Sequence, residues 1–299
     1  MSTGNEGLRP ETAVALRAAG LDPVAIADLV RRTIAEDLDG GVDVTSVATV
    51  PADQRSTLDL VARAEGVTAG VWVAAAVYDI VSQHDAVVTV RVPDGSRVHR
   101  DDVLLSVNGR TRDLLLCERT SLNLFSQLSG VATATARWAD ALQGTRARVR
   151  DTRKTVPLMR ALQKYAVRCG GGVNHRMSLS DAALVKDNHI VSAGGVREAF
   201  AAVRSTFPGV PVEVEVDTLD QLRDVLDAGA DLVLLDNFTT DEMRTAVAIN
   251  AGRAKLEASG GLTLADAHAV GETGVDYIAV GALTHSFTVF DIGADLQAI

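Results

Sequence analysis

The sequence predicts an α/β fold whose last half is a barrel-like run of strands and helices, and two observations carry that prediction. Short apolar runs in that half each finish on a charged, polar or glycine residue and are followed by a helical segment, the rhythm of βα units. Hydrophobic residues make up 47% of the chain but aromatic residues only 4%, so the core must come mainly from Ala, Val and Leu, as in parallel sheets. At 299 residues the chain is long enough for two domains or one barrel-sized domain, either with a full core.

Along the chain, residues 11–38 read as a helical opening. From about 57 to 110, runs such as STLDLVARAEG, AVVTVRVPDG and DVLLSVNG alternate apolar and polar residues and read as strands. The stretch VPDGSRVHRDDVLLSVNG resembles a hairpin of biotinyl or lipoyl carriers, yet it lacks the exposed turn lysine that such carriers modify, which disfavours a carrier role. Between Thr111 and Gln143, Leu114, Leu115, Leu122, Phe125, Leu128 and Val131 form an apolar stripe near helical spacing, with Gly130 as a candidate break. Six strands follow: ARVRDTRK, AALVKDN, VEVEVDT, DLVLLDN, AKLEASGG and DYIAVGA. Six is fewer than the eight of a closed α/β barrel.

Charge and cysteine content exclude several roles. The net charge of −10 repels a nucleic-acid backbone. No apolar run reaches the length of a membrane span, and the opening MSTGNEGLRPE lacks the basic-then-apolar order of a signal peptide. Cys117 and Cys169 lie in no metal-ligand spacing and are expected to be buried thiols of a cytoplasmic protein. Against the acidic whole, the stretch from Arg146 to Lys186 holds ten Lys or Arg and only two acids, Asp151 and Asp181. Beside Gly-rich and His-containing loops, that concentration suits a small polyanion; Arg150, Arg160 and Arg168 are expected to be surface charges.

In α/β barrels the loops after the strands converge on one mouth, so the strand ends form a single set. Glu215 and Asp236 would face one cavity, where paired carboxylates bind a divalent cation, share a proton or hold lysines. With phosphate-binding features alongside, magnesium is the preferred occupant; the alternative is that each acid caps a helix. Glu215 is placed ahead of Asp217 on the ground that strand alternation turns only one of neighbouring faces inward. Ser259, Gly260 and Gly261 follow one late strand and Gly281 the next, where backbone N–H groups can cradle a phosphate. Arg153, Lys154, His175, Arg176 and Lys186 supply more positive charge than one phosphate requires, and the planar arginine fork suits carboxylates. A ligand with several anionic groups is implied.

At these residues the chain resembles the quinolinate phosphoribosyltransferases: CERTSLN at 117–123, DTRKTVP at 151–157, GGGVNHRMSLSDAALVKDNHI at 170–190, then VEVEVD, LLDNF, EASGGL and YIAVGALTHS. The motifs run in order through nearly the whole chain. The resemblance implies an N-terminal α/β sandwich domain over residues 1–129, including a helical dimer-contact segment, and a C-terminal incomplete α/β barrel over 130–299. It implies the decarboxylating transfer of phosphoribosyl from phosphoribosyl pyrophosphate to quinolinate, with Mg2+, giving nicotinate mononucleotide, pyrophosphate and carbon dioxide for NAD biosynthesis. By the same resemblance Arg153, His175 and Arg176 hold the quinolinate carboxylates, and Lys154 and Lys186 neutralise carboxylate or phosphate charge. Glu215 and Asp236 face the ribose and magnesium, and Ser259, Gly260 and Gly281 surround the 5-phosphate, with His285 just beyond. Arg119 reaches across a homodimer interface into the neighbouring site. The N-terminal EDLDGGVDVTS departs in spacing from the family pattern, so Asp37 and Asp43 receive no catalytic role. Two other readings are a lyase using Lys186 as a Schiff base and an inactive metabolite-binding relative.

Overall fold

The computed structural model describes residues 7–298; the six residues before them, part of the opening read above as no signal peptide, lie outside the described residues. The chain divides into two compact units, the first comprising residues up to Ala134 with Ala161–Gly170 and the chain from Phe287, the second Thr135–Arg160 and Gly171–Ser286.

In the first unit the single helix expected at 11–38 is two, α1 (Pro10–Ala18) and α2 (Pro23–Leu38). Gly20 sits at φ +75° after α1, and Asp22 opens α2 by accepting the N–H of Val24, with Pro23 in the first turn. Asp43 is a cap as well: its carboxylate accepts from Thr45 and Ser46 at the start of α3 (Val44–Thr49). Then come β1 (Arg55–Ala62), β2 (Gly66–Val67), α4 (Val71–Val81), β3 (Val87–Val90), β4 (Arg97–Val98), β5 (Val103–Arg110) and α5 (Thr111–Ala141).

Helix α4 lies where only strands were expected. Its sequence VWVAAAVYDIV is apolar almost all round, and Val71, Val73 and Tyr78 are wholly buried. A short run of that kind has no amphipathic period to separate helix from buried strand. The suggested hairpin does not form either, since β4 pairs with β2 while β5 runs between β1 and β3. Helix α5 continues unbroken through Gly130. That glycine serves a close approach instead, because a Cβ there would lie 2.5 Å from the carbonyl oxygen of Thr288.

The second unit carries β6 (Arg148–Arg150); α6 (Arg160–Cys169) then belongs to the first unit from its second residue on. There follow β7 (Ala183–Val185), α7 (Asp187–Ala193), α8 (Val196–Thr206), β8 (Val212–Val216), α9 (Leu219–Asp227), β9 (Leu232–Asp236), α10 (Thr240–Asn250), β10 (Lys255–Ser259), α11 (Ala267–Gly271), β11 (Tyr277–Ala279) and α12 (Ala282–His285). The last strand, β12 (Ile292–Ala298), pairs antiparallel with β1 and completes the first unit's sheet in the order β12-β1-β5-β3.

The six strands expected in the last half are β6 to β11. They form one parallel sheet in the order β6-β11-β10-β9-β8-β7. Strands β6 and β7 are its edges, so the barrel is not closed; a single parallel bridge from Val173 extends the β6 edge. Strand β8 shows why the sheet is two-sided. Val212, Val214 and Val216 are buried and by alternation share the face opposite Glu213 and Glu215. Helix α9, begun by the Thr218 side chain on the N–H of Gln221, packs near β8 and buries Leu222, Val225 and Leu226 at helical spacing. Each such side chain contributes about 1.5–3 kcal/mol. Among the described residues no helix is long and apolar enough to cross a membrane.

Candidate active site

The face of the sheet that carries Glu215 opens on a cavity of about 470 Å³, a size suited to a small-molecule ligand. Eight residues singled out from the sequence line it: Arg153, Lys154, His175, Arg176, Lys186, Glu215, Asp236 and Ser259. Leu184, Leu234 and Ala279 supply its apolar surface. Gly260 and Gly281 stand one residue past Ser259 and two past Ala279, in the loops after β10 and β11. Arg119 belongs to the first unit, exposed on α5.

Strand register brings the two carboxylates onto one face. Glu215 pairs with Leu234, and Asp236, two residues further along, pairs with Ser259, so the acids are diagonal neighbours. Glu215 Oε2 lies 2.7 Å from Lys186 Nζ, and Asp236 Oδ2 accepts from Asn237 Nδ2 at 2.7 Å. Neither acid caps a helix, because Thr218 and Thr239 cap α9 and α10. Glu215 and Asp217, two residues apart, alternate onto the same side rather than opposite ones. What separates them is the end of β8 at Val216, beyond which Asp217 is exposed.

Arg153 and Arg176 form a cationic wall. Arg176 Nη1 donates to the carbonyl of Ala182 at 2.9 Å, while Nε of Arg153 and Nε of Arg176 are buried without a hydrogen-bond partner. Burial and, after it, the like charge of Arg153 push the Arg176 pKa below its ordinary value. Unsatisfied buried donors and crowded positive charge are both relieved by an anion. Lys154 is exposed at the mouth, its carbonyl accepting from Thr284 at 2.8 Å. Lys186 is 46% exposed and ion-paired, the reverse of the desolvated lysine that a Schiff-base lyase needs.

The glycine loop is sterically specific. Gly260 has φ +101°, and a Cβ there would lie 2.2 Å from Asn237 Oδ1 and 2.8 Å from its backbone nitrogen. Gly261 is also left-handed, at φ +60°. At Gly281 a Cβ would press on Lys154 Cδ at 3.0 Å and His285 Nε2 at 3.1 Å.

Beneath the cavity lies a charged cluster that the sequence reading missed. Arg150, expected at the surface, has its side chain only 14% exposed, with Nη1 2.5 Å from Glu257 Oε2 and 3.7 Å from Glu213 Oε1 and its guanidinium 5.0 Å over the Tyr277 ring. It points inward because it pairs with Ala279, which lines the cavity. Glu213 and Glu257 are 3% and 0% exposed, and burial raises the pKa of each to about 7 against the pull of Arg150. His175 Nε2 lies 2.7 Å from Glu213 Oε2, and its backbone N–H donates to buried Asp151 at 2.7 Å. His175, Glu213 and Glu257 could geometrically share a metal ion, but the guanidinium of Arg150 already supplies the cation. The signal was available: both acids precede a chosen site residue, Glu215 or Ser259, by two strand positions.

The remaining basic residues disperse. Arg160 is half-buried and ties Thr155 to the carbonyl of Met177, Arg168 is exposed, and Lys164 is buried. Both cysteines are free, Cys117 buried as expected and Cys169 only partly so.

The C-terminal domain model of quinolinate phosphoribosyl transferase matches residues 131–295 and the N-terminal domain model matches 43–129. A nicotinate-nucleotide pyrophosphorylase [carboxylating] of Mycobacterium leprae is 51% identical over 91% of this chain and 97% of its own. Solved structures agree: NadC from Streptococcus pyogenes, 36% identical, superposes with a TM-score of 0.90 over 93% of this chain and 99% of that one. The nicotinate-nucleotide pyrophosphorylase of Francisella tularensis, 37% identical, gives 0.88 over 91% and 96%. With both domain models matched in order and the cationic wall, paired acids and glycine loop on one sheet face, the chain belongs to the quinolinate phosphoribosyl transferase family of pentosyltransferases.

Proposed function

We propose that this protein transfers the phosphoribosyl group of phosphoribosyl pyrophosphate to the ring nitrogen of quinolinate and releases carbon dioxide, giving nicotinate mononucleotide and pyrophosphate for de novo NAD biosynthesis. The observation that carries the reading is the Arg153–Arg176 wall with its two buried, unpartnered Nε donors, beside a cavity floored partly by Leu184 and Leu234. That combination suits a flat ring bearing adjacent carboxylates.

In this reading Arg153 and Arg176 form the carboxylate-recognising wall, with His175 beside them in the cavity lining. Lys154 and Lys186 offset negative charge at the reacting centre, and Ser259, Gly260 and Gly281 surround the 5-phosphate, with His285 at their edge. As the ring nitrogen bonds to the anomeric carbon, the bond to pyrophosphate breaks and positive charge builds on the ribose. Glu215 and Asp236 place negative charge beside it, so positioning and electrostatics supply the catalysis. Once the nitrogen is quaternary, the bond to the 2-carboxylate breaks, and its electron pair stays on a ring carbon stabilised by the adjacent positive nitrogen until a proton is taken up.

Magnesium is the proposed cofactor. Glu215 and Asp236 offer hard carboxylate oxygens on one face, and one or two such groups plus substrate phosphates are its usual ligands. When bound, the ion would neutralise charge on the departing pyrophosphate. We further propose a homodimer in which the exposed Arg119 enters the neighbouring site, and a cytoplasmic location, consistent with two free cysteines.

The test mixes purified protein, Mg2+ and phosphoribosyl pyrophosphate with quinolinate or with nicotinate and follows nucleotide and carbon dioxide. Nucleotide from quinolinate with equimolar carbon dioxide, lost on chelating the metal, is expected. Product from nicotinate alone, or from neither acid, would sink the assignment.

A further inference from the structure

Among the carboxylate-wall residues, His175 has both ring nitrogens committed to the protein. The N–H of Arg176 donates to Nδ1 at 2.7 Å. That leaves Nε2 as the protonated nitrogen, and it faces Glu213 Oε2 at 2.7 Å. The backbone on either side is fixed too: the N–H of His175 donates to Asp151 Oδ1 at 2.7 Å, and Asn174 Nδ2 donates to Oδ2 of the same carboxylate at 2.6 Å. Glu213 is buried behind the cavity rather than lining it, with Arg150 on its other oxygen at 3.7 Å. For the imidazole to bond a substrate carboxylate through Nε2, it would have to leave a buried acid without its donor, which is unfavourable.

We propose that Glu213 is a positioning residue: it holds the His175 ring in the Nε2–H form, and through the ring's other nitrogen fixes the main chain of Arg176, so that His175 serves the carboxylate wall without touching substrate. The inference rests on reading this cavity as the quinolinate pocket. It separates two roles on one wall. Arg153 and Arg176, with unpartnered donors, meet the ligand; His175 and Glu213 hold Arg176 where it can do so. Arg150 also has Glu257 as a partner, at 2.5 Å, so replacing Glu213 does not remove its only acid.

Glu213→Ala and Glu213→Gln are compared with the wild type in the dimeric or otherwise native protein, by steady-state kinetics and by NMR of the histidine ring nitrogens, with His175 assigned by its loss in His175→Gln. The alanine variant is expected to raise KM for quinolinate about tenfold, the weight of one positioning hydrogen bond. Its kcat and its KM for phosphoribosyl pyrophosphate should stay within about twofold. Glu213→Gln, which keeps an acceptor of the same shape, should recover most of the loss, and Glu213→Ala combined with His175→Ala should be no worse than His175→Ala. In the wild type the Nε2–H form should persist when quinolinate is added. A ring signal that changes on adding quinolinate, or an alanine variant with wild-type ring signal and KM, would overturn the proposal. Failure of the wild type to use quinolinate would count against the functional reading instead, and the substrate-free ring spectra of wild type and Glu213→Ala would still decide the Glu213–His175 contact.

Discussion

Arg150 and Glu257, 107 residues apart in the chain, meet through Nη1 and Oε2 on the inner face of the parallel sheet. Two buried acids converge on that one guanidinium, so the cluster stands or falls with it. Arg150→Met keeps the aliphatic stem but leaves both acids uncompensated, and it should destabilise the fold by about 3–5 kcal/mol. Denaturant unfolding checks this, with Arg148→Met on the same strand, whose side chain is exposed, as the control of small effect.

Stability should also depend on pH through the same acids. Glu257 has its pKa raised by burial from 4.5 to about 7, so the folded state holds the proton more tightly than the unfolded chain does. A raised carboxylate pKa makes folding stability fall as pH climbs through the interval between the two values and level off above the folded one. Glu257→Gln should therefore flatten the pH 4.5–7 part of the stability curve. An unchanged slope would show that Glu257 is not the titrating group.

Kinetic parameters should separate the two ends of the cavity. Arg153→Ala removes a charged donor from the carboxylate wall, and a loss of about 2 kcal/mol or more corresponds to kcat/KM for quinolinate falling about thirtyfold. Gly260→Ala places a Cβ 2.2 Å from Asn237 Oδ1 at a φ of +101° and should instead raise KM for phosphoribosyl pyrophosphate. If both variants affect the same substrate, the division of the site is wrong.

Arg119 gives a test of assembly. If its side chain completes the partner's site, Arg119→Ala and Lys186→Ala are each inactive, but in a hybrid dimer both defects fall in one site and the other is intact. Random mixing by a two-fold symmetric interface then restores about a quarter of wild-type activity. No recovery after mixing unfolded and refolded variants would place both residues in one protomer's site.

The sequence alone is enough for the α/β class, the six strands β6–β11 and most of the residues that line the cavity. The reason is that βα alternation and strand ends are local patterns, written within a few residues of one another. It could not distinguish α4 from a strand, because an apolar helix without an amphipathic period carries the same local signal as a buried strand. It also could not show that Arg150 turns inward or that Glu213 and Glu257 share it. Charge at those positions looks like any other charge until strands distant in sequence are paired in register and one face is closed from water. That the last strand, β12, joins β1 rather than the parallel sheet, and that the barrel stays open between β6 and β7, emerges only once the strands are paired. Pairing partners at long sequence separation depend on register and packing across the whole chain, which no local pattern encodes.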